Sequence, residues 1–368
     1  MNLILYGAGK EGKHANDIIN NFYKEKYNVE MFIDSNKEGS YCDKKIINLK
    51  DIESINKNSI IVITIDDLYA AADICFLLRA KGFEKIYYFL ELNVNHTENS
   101  DFLKDECMDT SQWDECVLPH MELHIVDKCN LKCKGCTHFS PLFDNEELQF
   151  DDIIQDVLKV SKIFSTIIRL DILGGEPFLN QDITKYITEI RKILPTASID
   201  IFTNGLLIPT LSDKVFDCIR ENNLFISVTE YKPTHVMIDK IISRLTQHNI
   251  KYKIMPYDKR QMFNKPLSIS ENSKYPNLCI SNGCATVANG MIARCPTLMY
   301  INKFNEVFNT KLPNQGIMKL DDWSLGSGIE LLKKLKEEVP LCKHCIQCDM
   351  KWEVCEKEIK LEDFAVRD

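Results

Sequence analysis

The chain has 368 residues, of which 45% are hydrophobic and 27% charged, and carries a formal net charge of −9. That length favours two or three domains over one, and the apolar fraction is ample for sizeable cores. No Lys/Arg block points to nucleic acid or an anionic membrane, and no run approaches the about 18 apolar residues of a membrane span. The first residues hold too short an apolar stretch for a signal peptide, so a cytoplasmic protein is expected.

Residues 1–92 read as an α/β unit. Asn2–Tyr6 is an apolar strand, followed by the turn Gly7-Ala-Gly9-Lys-Glu-Gly12 and a helix over 13–23. Strands follow at Glu30–Ile33, ending at Asp34, at Ile60–Ile65 and at Lys85–Phe89, with a helix over 70–81 closed by Gly82. The unbroken apolar run at 60–65 suits a parallel strand buried on both faces, and the alternation implies a doubly wound sheet. Gly7, Gly9 and Gly12 follow a strand and open a helix, the setting a dinucleotide fingerprint needs. Asp34 falls where a ribose-binding acid belongs, and the helix N-terminus offers free N–H groups to a phosphate. The same pattern also fits a domain that keeps the fold and binds nothing. Residues 93–117, rich in Asn, Thr, Ser and Asp, read as a linker.

A second βα series spans 118–256. Strands are expected at Glu122–Asp127, Ile168–Leu173, Ile199–Thr203, Phe225–Thr229 and Tyr252–Met255, with helices over 151–164, 181–194, 211–222 and 235–247. Units of this length suggest a full or partial TIM-like barrel, whose chemistry sits at the C-terminal strand ends. Glu230, Tyr231 and Tyr257 also lie near strand ends, without a defined role. From 257 to 368 the pattern is irregular and cysteine-rich. Asn289-Gly290 marks a hairpin between Ala285–Ala288 and Met291–Arg294, and Gly328–Val339 an amphipathic helix.

The cysteines number fifteen. In a chain without a secretion signal, clustered cysteines point to metal or redox chemistry. Cys42, Cys75, Cys107, Cys116 and Cys218 stand alone and read as buried or incidental thiols. Cys129, Cys133 and Cys136 form a C-x₃-C-x₂-C loop after a strand. Three thiolates can hold three irons of a 4Fe–4S cluster and leave the fourth open for chemistry, whereas ferredoxin-type clusters use four cysteines. Zinc on this trio, with His138 as fourth ligand, is the competing reading. Cys279, Cys284 and Cys295 form a second group, and Cys342, Cys345, Cys348 and Cys355 a third, on which spacing alone does not exclude zinc.

Residues 120–256 resemble the radical S-adenosylmethionine (SAM) superfamily. The cysteine trio matches its cluster loop, and Gly174-Gly175-Glu176-Pro177 matches the motif that contacts the amino group of SAM. Thr203-Asn204-Gly205 resembles the turn after the third strand, and Ser227 the fourth-strand serine that contacts the SAM ribose or carboxylate. The family often carries an aromatic residue before the third cysteine. Here Gly135 stands there, and Phe139 is the candidate replacement. The later cysteines resemble a SPASM or twitch extension with one or two auxiliary Fe–S clusters, although the Cys345–Cys348 spacing is shorter than usual. Cys279, Cys284, Cys295 and one of the last four are the expected ligands of the first. The amino-terminal unit resembles the Rossmann-like domain preceding bacterial sugar O-acyltransferases.

The resemblance implies an α/β protein: a Rossmann-like domain, a partial (β/α)₆ radical SAM barrel and a SPASM/twitch-like extension. It implies a 4Fe–4S cluster, SAM and an electron donor such as flavodoxin or ferredoxin. The leading expectation is an oxidoreductase- or epimerase-type radical enzyme. It would dehydrogenate, epimerise or dehydrate a small or nucleotide-sugar substrate, within cell-surface polysaccharide synthesis. The alternative is a SPASM-type enzyme acting on peptide or protein side chains. A non-enzymatic electron carrier is a third class.

Overall fold

The computed structural model describes residues 1–143, 148–259, 261–271, 279 and 284–367, with backbone only at 263–266 and 347–349. The chain divides into two compact units, Met1–Glu115 and Cys116–Asp368.

In the first unit the elements run β1 (Asn2–Tyr6), α1 (Lys10–Ile18), β2 (Asn28–Asp34), β3 (Gly39–Tyr41), β4 (Lys44–Asn48), β5 (Ile60–Ile63), α2 (Leu68–Ala80), β6 (Ile86–Phe89), α3 (Phe102–Asp105) and β7 (Cys107–Asp109). The sheet order is β3-β4-β2-β1-β5-β6-β7, parallel from β4 to β6 and antiparallel at both edges. The chain reverses direction across the sheet between β1 and β5, so the loops leaving these strands flank a topological switch point. Leu3, Leu5, Phe32 and Val62 pack against Ala15, Ile18 and Ile19 of the first helical segment.

Residues 93–115 are not a linker. β7 pairs antiparallel with β6, and Phe102 and Cys107 enter the same core. Asp101 accepts hydrogen bonds from Tyr27 Oη (2.8 Å) and from the backbone N–H of Lys104 (3.3 Å), capping α3. The polar composition hid these few apolar anchors.

The second unit runs β8 (Val117–Val126), α4 (Phe150–Ile163), β9 (Thr166–Gly174), α5 (Ile183–Ile193), β10 (Ser198–Thr203), α6 (Asp213–Glu221), β11 (Phe225–Thr229), α7 (Lys232–Gln247), β12 (Lys251–Met255), β13 (Met262–Ser268), β14 (Ala285–Ala288), β15 (Met291–Ala293), α8 (Pro296–Met299), α9 (Ile301–Phe308), β16 (Met318–Lys319), α10 (Gly328–Lys336), β17 (Cys345–Lys351) and β18 (Ala365–Val366). The main sheet is ordered β12-β11-β10-β9-β8-β14-β15-β16. β14 and β8 through β12 are mutually parallel, giving an open barrel of βα units. β14 belongs to the cysteine-rich region, yet it extends the barrel sheet beside β8. The boundary expected at 256 therefore falls inside one compact unit.

Strand alternation sorts the side chains. Met121, Leu123, Ile125, Leu170, Ile172, Ile199, Ile201, Ile226 and Val228 face the helices, meeting Val157, Val160, Ile187, Ile190, Phe216, Ile219, Ile241 and Leu245. The intervening positions carry His120, Glu122, His124, Arg169, Asp171, Asp200, Ser227 and Lys253 on the opposite, inner face. A second core joins Phe139 and Leu142, from the loop after β8, to Leu298, Phe304, Leu341 and Phe364. β17-β13-β18 form a small sheet beside it. The β14–β15 turn holds Asn289 and Gly290 at φ 53° and 73°, the left-handed pair a tight hairpin requires.

Candidate active site

The loop leaving β8 carries Cys129, Cys133 and Cys136, and its seat is made by two glycines leaving β9. A Cβ on Gly174 would lie 1.8 Å from the Val126 carbonyl oxygen, and one on Gly175 2.1 Å from that of Lys128. Only glycine permits this approach, and Gly174 also sits at φ 146°. The backbone N–H of Gly175 then donates to Val126 O (2.8 Å) and that of Glu176 to Lys128 O (3.0 Å). Pro177, buried, starts the short 3₁₀ turn that follows.

Glu176 is fully buried. It accepts hydrogen bonds from Thr203 Oγ1 (2.7 Å) and from the backbone N–H groups of Asn204 (2.9 Å) and Phe178 (3.2 Å). Burial outweighs these donors and pushes its carboxyl up to about 7. Asn204 donates through Nδ2 to Asn130 Oδ1 at 2.6 Å, and the same nitrogen lies 3.9 Å from Cys129 Sγ. Three strand ends, those of β8, β9 and β10, are thus tied together around the cysteine loop. Ser227 lies deeper on the inner face, where its hydroxyl donates to Asp200 Oδ2 (2.6 Å).

The carboxy-terminal segment grips the other side of the loop. Lys134 N–H donates to Glu353 O (3.0 Å), Gly135 N–H to Asp363 O (2.7 Å) and Cys355 N–H to Lys132 O (2.6 Å). Cys133 also pairs with Val354 in an antiparallel bridge. Phe139 is the candidate replacement for the missing aromatic at Gly135. It is fully buried and packs on Phe304 and Phe364, with ring centroids 5.2 and 5.7 Å away.

The donor set suits an Fe–S cluster. Burial pushes the Cys129 thiol up to about 12 and raises Cys133 as well, with neighbouring cysteines adding to both. For Cys136 burial acts the same way, but His138 and the backbone N–H of Ser140 together outweigh it and lower the thiol. N–H groups already point at sulfur: Leu131 N–H lies 3.4 Å from Cys129 Sγ. Among the described residues no three His, Cys, Asp or Glu side chains converge on a single ion. Cluster thiolates each bind a different iron, so such convergence is not required of them. His138 faces Glu122, at 3.5 Å from Nε2 to Oε2, and Cys136. Burial opposes its charge, yet these two partners push it up to about 10.

The inner face was not singled out in the sequence. His120 Nε2 lies 2.7 Å from Asp171 Oδ2, and Arg169 reaches Asp171 (2.6 Å) and Asp200 (2.7 Å). Burial, then Asp171, push Asp200 up to about 7 against Arg169. His124 bonds Asp127 through Nδ1 (2.8 Å) and stacks on Tyr300, while His124 Nε2 and the Tyr300 hydroxyl are buried without a hydrogen-bond partner. The available signal was polar residues at alternate positions of apolar strands, His120-x-Glu122-x-His124 and Arg169-x-Asp171. Of the strand-end residues, Glu230 pairs with His235 (2.5 Å) and accepts from Tyr257 N–H (2.9 Å), and Tyr231 stacks on Trp352.

The later cysteines from the two sequence groups approach one another. Burial, then Cys279 and Cys342, push Cys295 up to about 12, and Cys345 rises to about 12 under burial and the same neighbours together with Cys295. Cys279, Cys295, Cys342 and Cys345 therefore share one electrostatic neighbourhood. Arg294 Nη1 and Val339 N–H each approach Cys342 Sγ at 3.4 Å. Cys284 is raised by burial, then by Glu122 and Asp171 and also by Cys295 and Cys279, so it stands between the inner face and this cysteine group. Cys355 pairs with the first loop instead, and the Cys348 side chain lies outside the described residues.

In the amino-terminal unit, a Cβ on Gly12 would lie 2.0 Å from the Gly7 carbonyl oxygen, and Gly7 has φ 119°. Gly9 is the N-cap of α1. Asp34 clamps this loop: Oδ2 accepts from Ala8 N–H (2.9 Å), and Oδ1 from Asn36 N–H (2.8 Å) and Lys37 N–H (3.0 Å).

A sequence profile of the Radical SAM superfamily matches residues 123–252, the stretch from mid-β8 to β12. The chain carries a radical SAM domain. That superfamily uses a 4Fe–4S cluster and SAM. Curated proteins similar to the radical SAM domain include GTP 3′,8-cyclases of Helicobacter pylori (29% identical, over 26% of this chain and 30% of that protein) and Staphylococcus saprophyticus (25%, over 36% and 38%). A third, from Clostridium perfringens, is 29% identical over 37% of this chain and 46% of that protein. The chain thus spans less than half the length of the curated relatives it matches. Among solved structures, BtrN in complex with AdoMet and 2-DOIA is 16% identical, with TM-score 0.38 over 62% of this chain and 92% of that one. Histidine-tagged anSMEcpe with bound AdoMet is 18% identical, with TM-score 0.30 over 37% and 42%. Among the described residues no helix is long and apolar enough to cross a membrane.

Proposed function

We propose that the chain is a radical SAM enzyme acting on a small or nucleotide-linked carbohydrate. The observation that carries the class is the meeting of the Cys129 loop with Glu176 and Asn204 at three adjacent parallel strand ends. Cys129, Cys133 and Cys136 would hold a 4Fe–4S cluster, which, with one open iron, supplies reductive cleavage of SAM to a hydrogen-abstracting 5′-deoxyadenosyl radical. Glu176 offers a buried carboxyl to the ammonium of SAM, and Gly174, Gly175 and Pro177 fix its loop. Asn204 holds the cluster loop against β10. Ser227, whose hydroxyl is paired with Asp200, is the candidate contact to the SAM ribose or carboxylate.

The inner face supports a polar substrate over an apolar side chain, because His120, Arg169, Asp171, Asp200 and Lys253 all lie on it. The name GTP 3′,8-cyclase, borne by the curated relatives, supports a nucleotide-bearing one. Gly7, Gly9 and Gly12 at the switch point of the Rossmann-like unit are the candidate site for a nucleotide, with Asp34 ordering that loop. Cys279, Cys284 and Cys295 together with Cys342 or Cys345 are the candidate ligands for an auxiliary cluster, and a flavodoxin or ferredoxin would supply electrons.

Anaerobically reconstituted full-length protein, given SAM and dithionite, should form 5′-deoxyadenosine. Failure to form it with or without candidate substrates would remove the class. A panel of nucleotide-sugars should include a binder by calorimetry, and a panel without one would favour the peptide-modifying reading.

A further inference from the structure

Besides Asn204, the cluster loop receives a side-chain donor from much farther along the chain. The indole Nε1 of Trp352 points at Cys133 Sγ, 3.3 Å away and 219 positions earlier in sequence. Cys133 is buried and Trp352 half-buried, so this contact is partly shielded from water. Trp352 is not free to swing. Its backbone N–H donates to Gln261 O (2.8 Å), and its ring stacks on Tyr231 at 5.4 Å and 21° between planes. Tyr231 stands just past the end of β11 and is the N-cap of α7. The neighbours of Trp352 complete the hold, through Glu353 O to Lys134 N–H and the Val354–Cys133 bridge.

We propose that Trp352 is a positioning residue that raises the reduction potential of the cluster held by Cys129, Cys133 and Cys136. The assignment rests on the radical SAM reading above. Reduction adds negative charge that is partly carried by the sulfur ligands. A fixed N–H aimed at one of those sulfurs stabilises the reduced state over the oxidised one. Low local polarity strengthens the effect, and the Tyr231 stack removes the reorientation that would weaken it. Trp352 touches neither SAM nor substrate in this role and acts only through Cys133.

The test compares wild type, W352F and Y231L, each anaerobically reconstituted as the full chain. Iron and sulfide are counted, and the midpoint potential is read by EPR from the signal that changes when SAM is added. W352F keeps an aromatic ring but loses the N–H, so its potential should become more negative while its iron content stays at the wild-type level. Y231L keeps the N–H on a less rigid ring and should shift less, in the same direction. An unchanged potential in iron-replete W352F overturns the proposal and leaves the class intact. Equal shifts in both variants assign the effect to packing, and loss of iron from W352F assigns Trp352 to holding the loop; either overturns it. A wild-type protein with no SAM-responsive cluster removes the radical SAM reading itself.

Discussion

Asn204 and Cys129 stand 75 positions apart in sequence, and the Asn204 side-chain nitrogen lies 3.9 Å from the Cys129 sulfur. The same nitrogen is 2.6 Å from Asn130 Oδ1, so one amide spans the ligand and its neighbour. Asn204→Ala removes this tie while leaving its backbone N–H on Glu176. It should destabilise the protein by about 1 kcal/mol, the net worth of one part-buried hydrogen bond. It should also weaken SAM binding to the reconstituted protein. Thermal unfolding and equilibrium dialysis with SAM check the two effects.

Gly175→Ala should be far more damaging than its size suggests. The added methyl would meet the Lys128 carbonyl at 2.1 Å, and backbone cannot rotate away as a side chain can. A loss of about 3 kcal/mol is expected for overpacking of this kind. The reconstituted variant should bind fewer irons at the first loop. A variant with wild-type melting temperature and iron content would show that the two loops can part.

Glu176 makes stability depend on pH. Its carboxyl is pushed from the ordinary 4.5 up to about 7 in the folded protein, chiefly by burial. Between these values the folded state holds a proton the unfolded chain has released. Stability should therefore fall as pH rises from about 4.5 to about 7 and level off above. Asp200, raised from 3.8 to about 7, acts in the same direction. Glu176→Gln should flatten the slope, its share being on the order of 3 kcal/mol. Urea denaturation of metal-free protein at intervals across that range is the measurement. A variant curve parallel to wild type would place the slope elsewhere.

Iron content separates the cysteine groups. Replacing Cys129, Cys133 and Cys136 together by Ala should remove about four irons and leave the rest. Cys295→Ala with Cys342→Ala should remove the other set. Cys355→Ala should leave the second set untouched, because Cys355 pairs with Lys132 rather than with Cys295. Loss of the second set on replacing Cys355 would contradict that grouping.

The barrel was legible because its signals are local. Apolar runs of strand length alternate with amphipathic helices, and the observed Phe225–Thr229 agrees residue for residue with the expected strand. The first part of β8 was missed because Pro119 and His120 interrupt its apolar run. The fold of 93–115 escaped because Phe102 and Cys107 are isolated anchors in a polar stretch. Spacing grouped Cys355 with Cys342 and Cys345, but tertiary pairing, which sequence distance does not encode, put it beside the first loop. The inner-face charges were visible as alternation. Their meaning depended on knowing which face the helices cover, and that is fixed only when β8 to β12 lie side by side.

The strap over the cluster loop has a consequence for how the protein comes to be. Residues 129–136 leave the ribosome well before Trp352, Glu353, Cys355 and Asp363, which bond to them. Until those residues emerge, the three thiols lie on an open loop, accessible to oxidants and to stray metal ions. Iron–sulfur delivery to a nascent chain would meet an unfinished seat. Maturation of this centre is thus tied to completion of the fold, and a chain that stops short of residue 352 would keep its cysteine motif and lose the wall behind it.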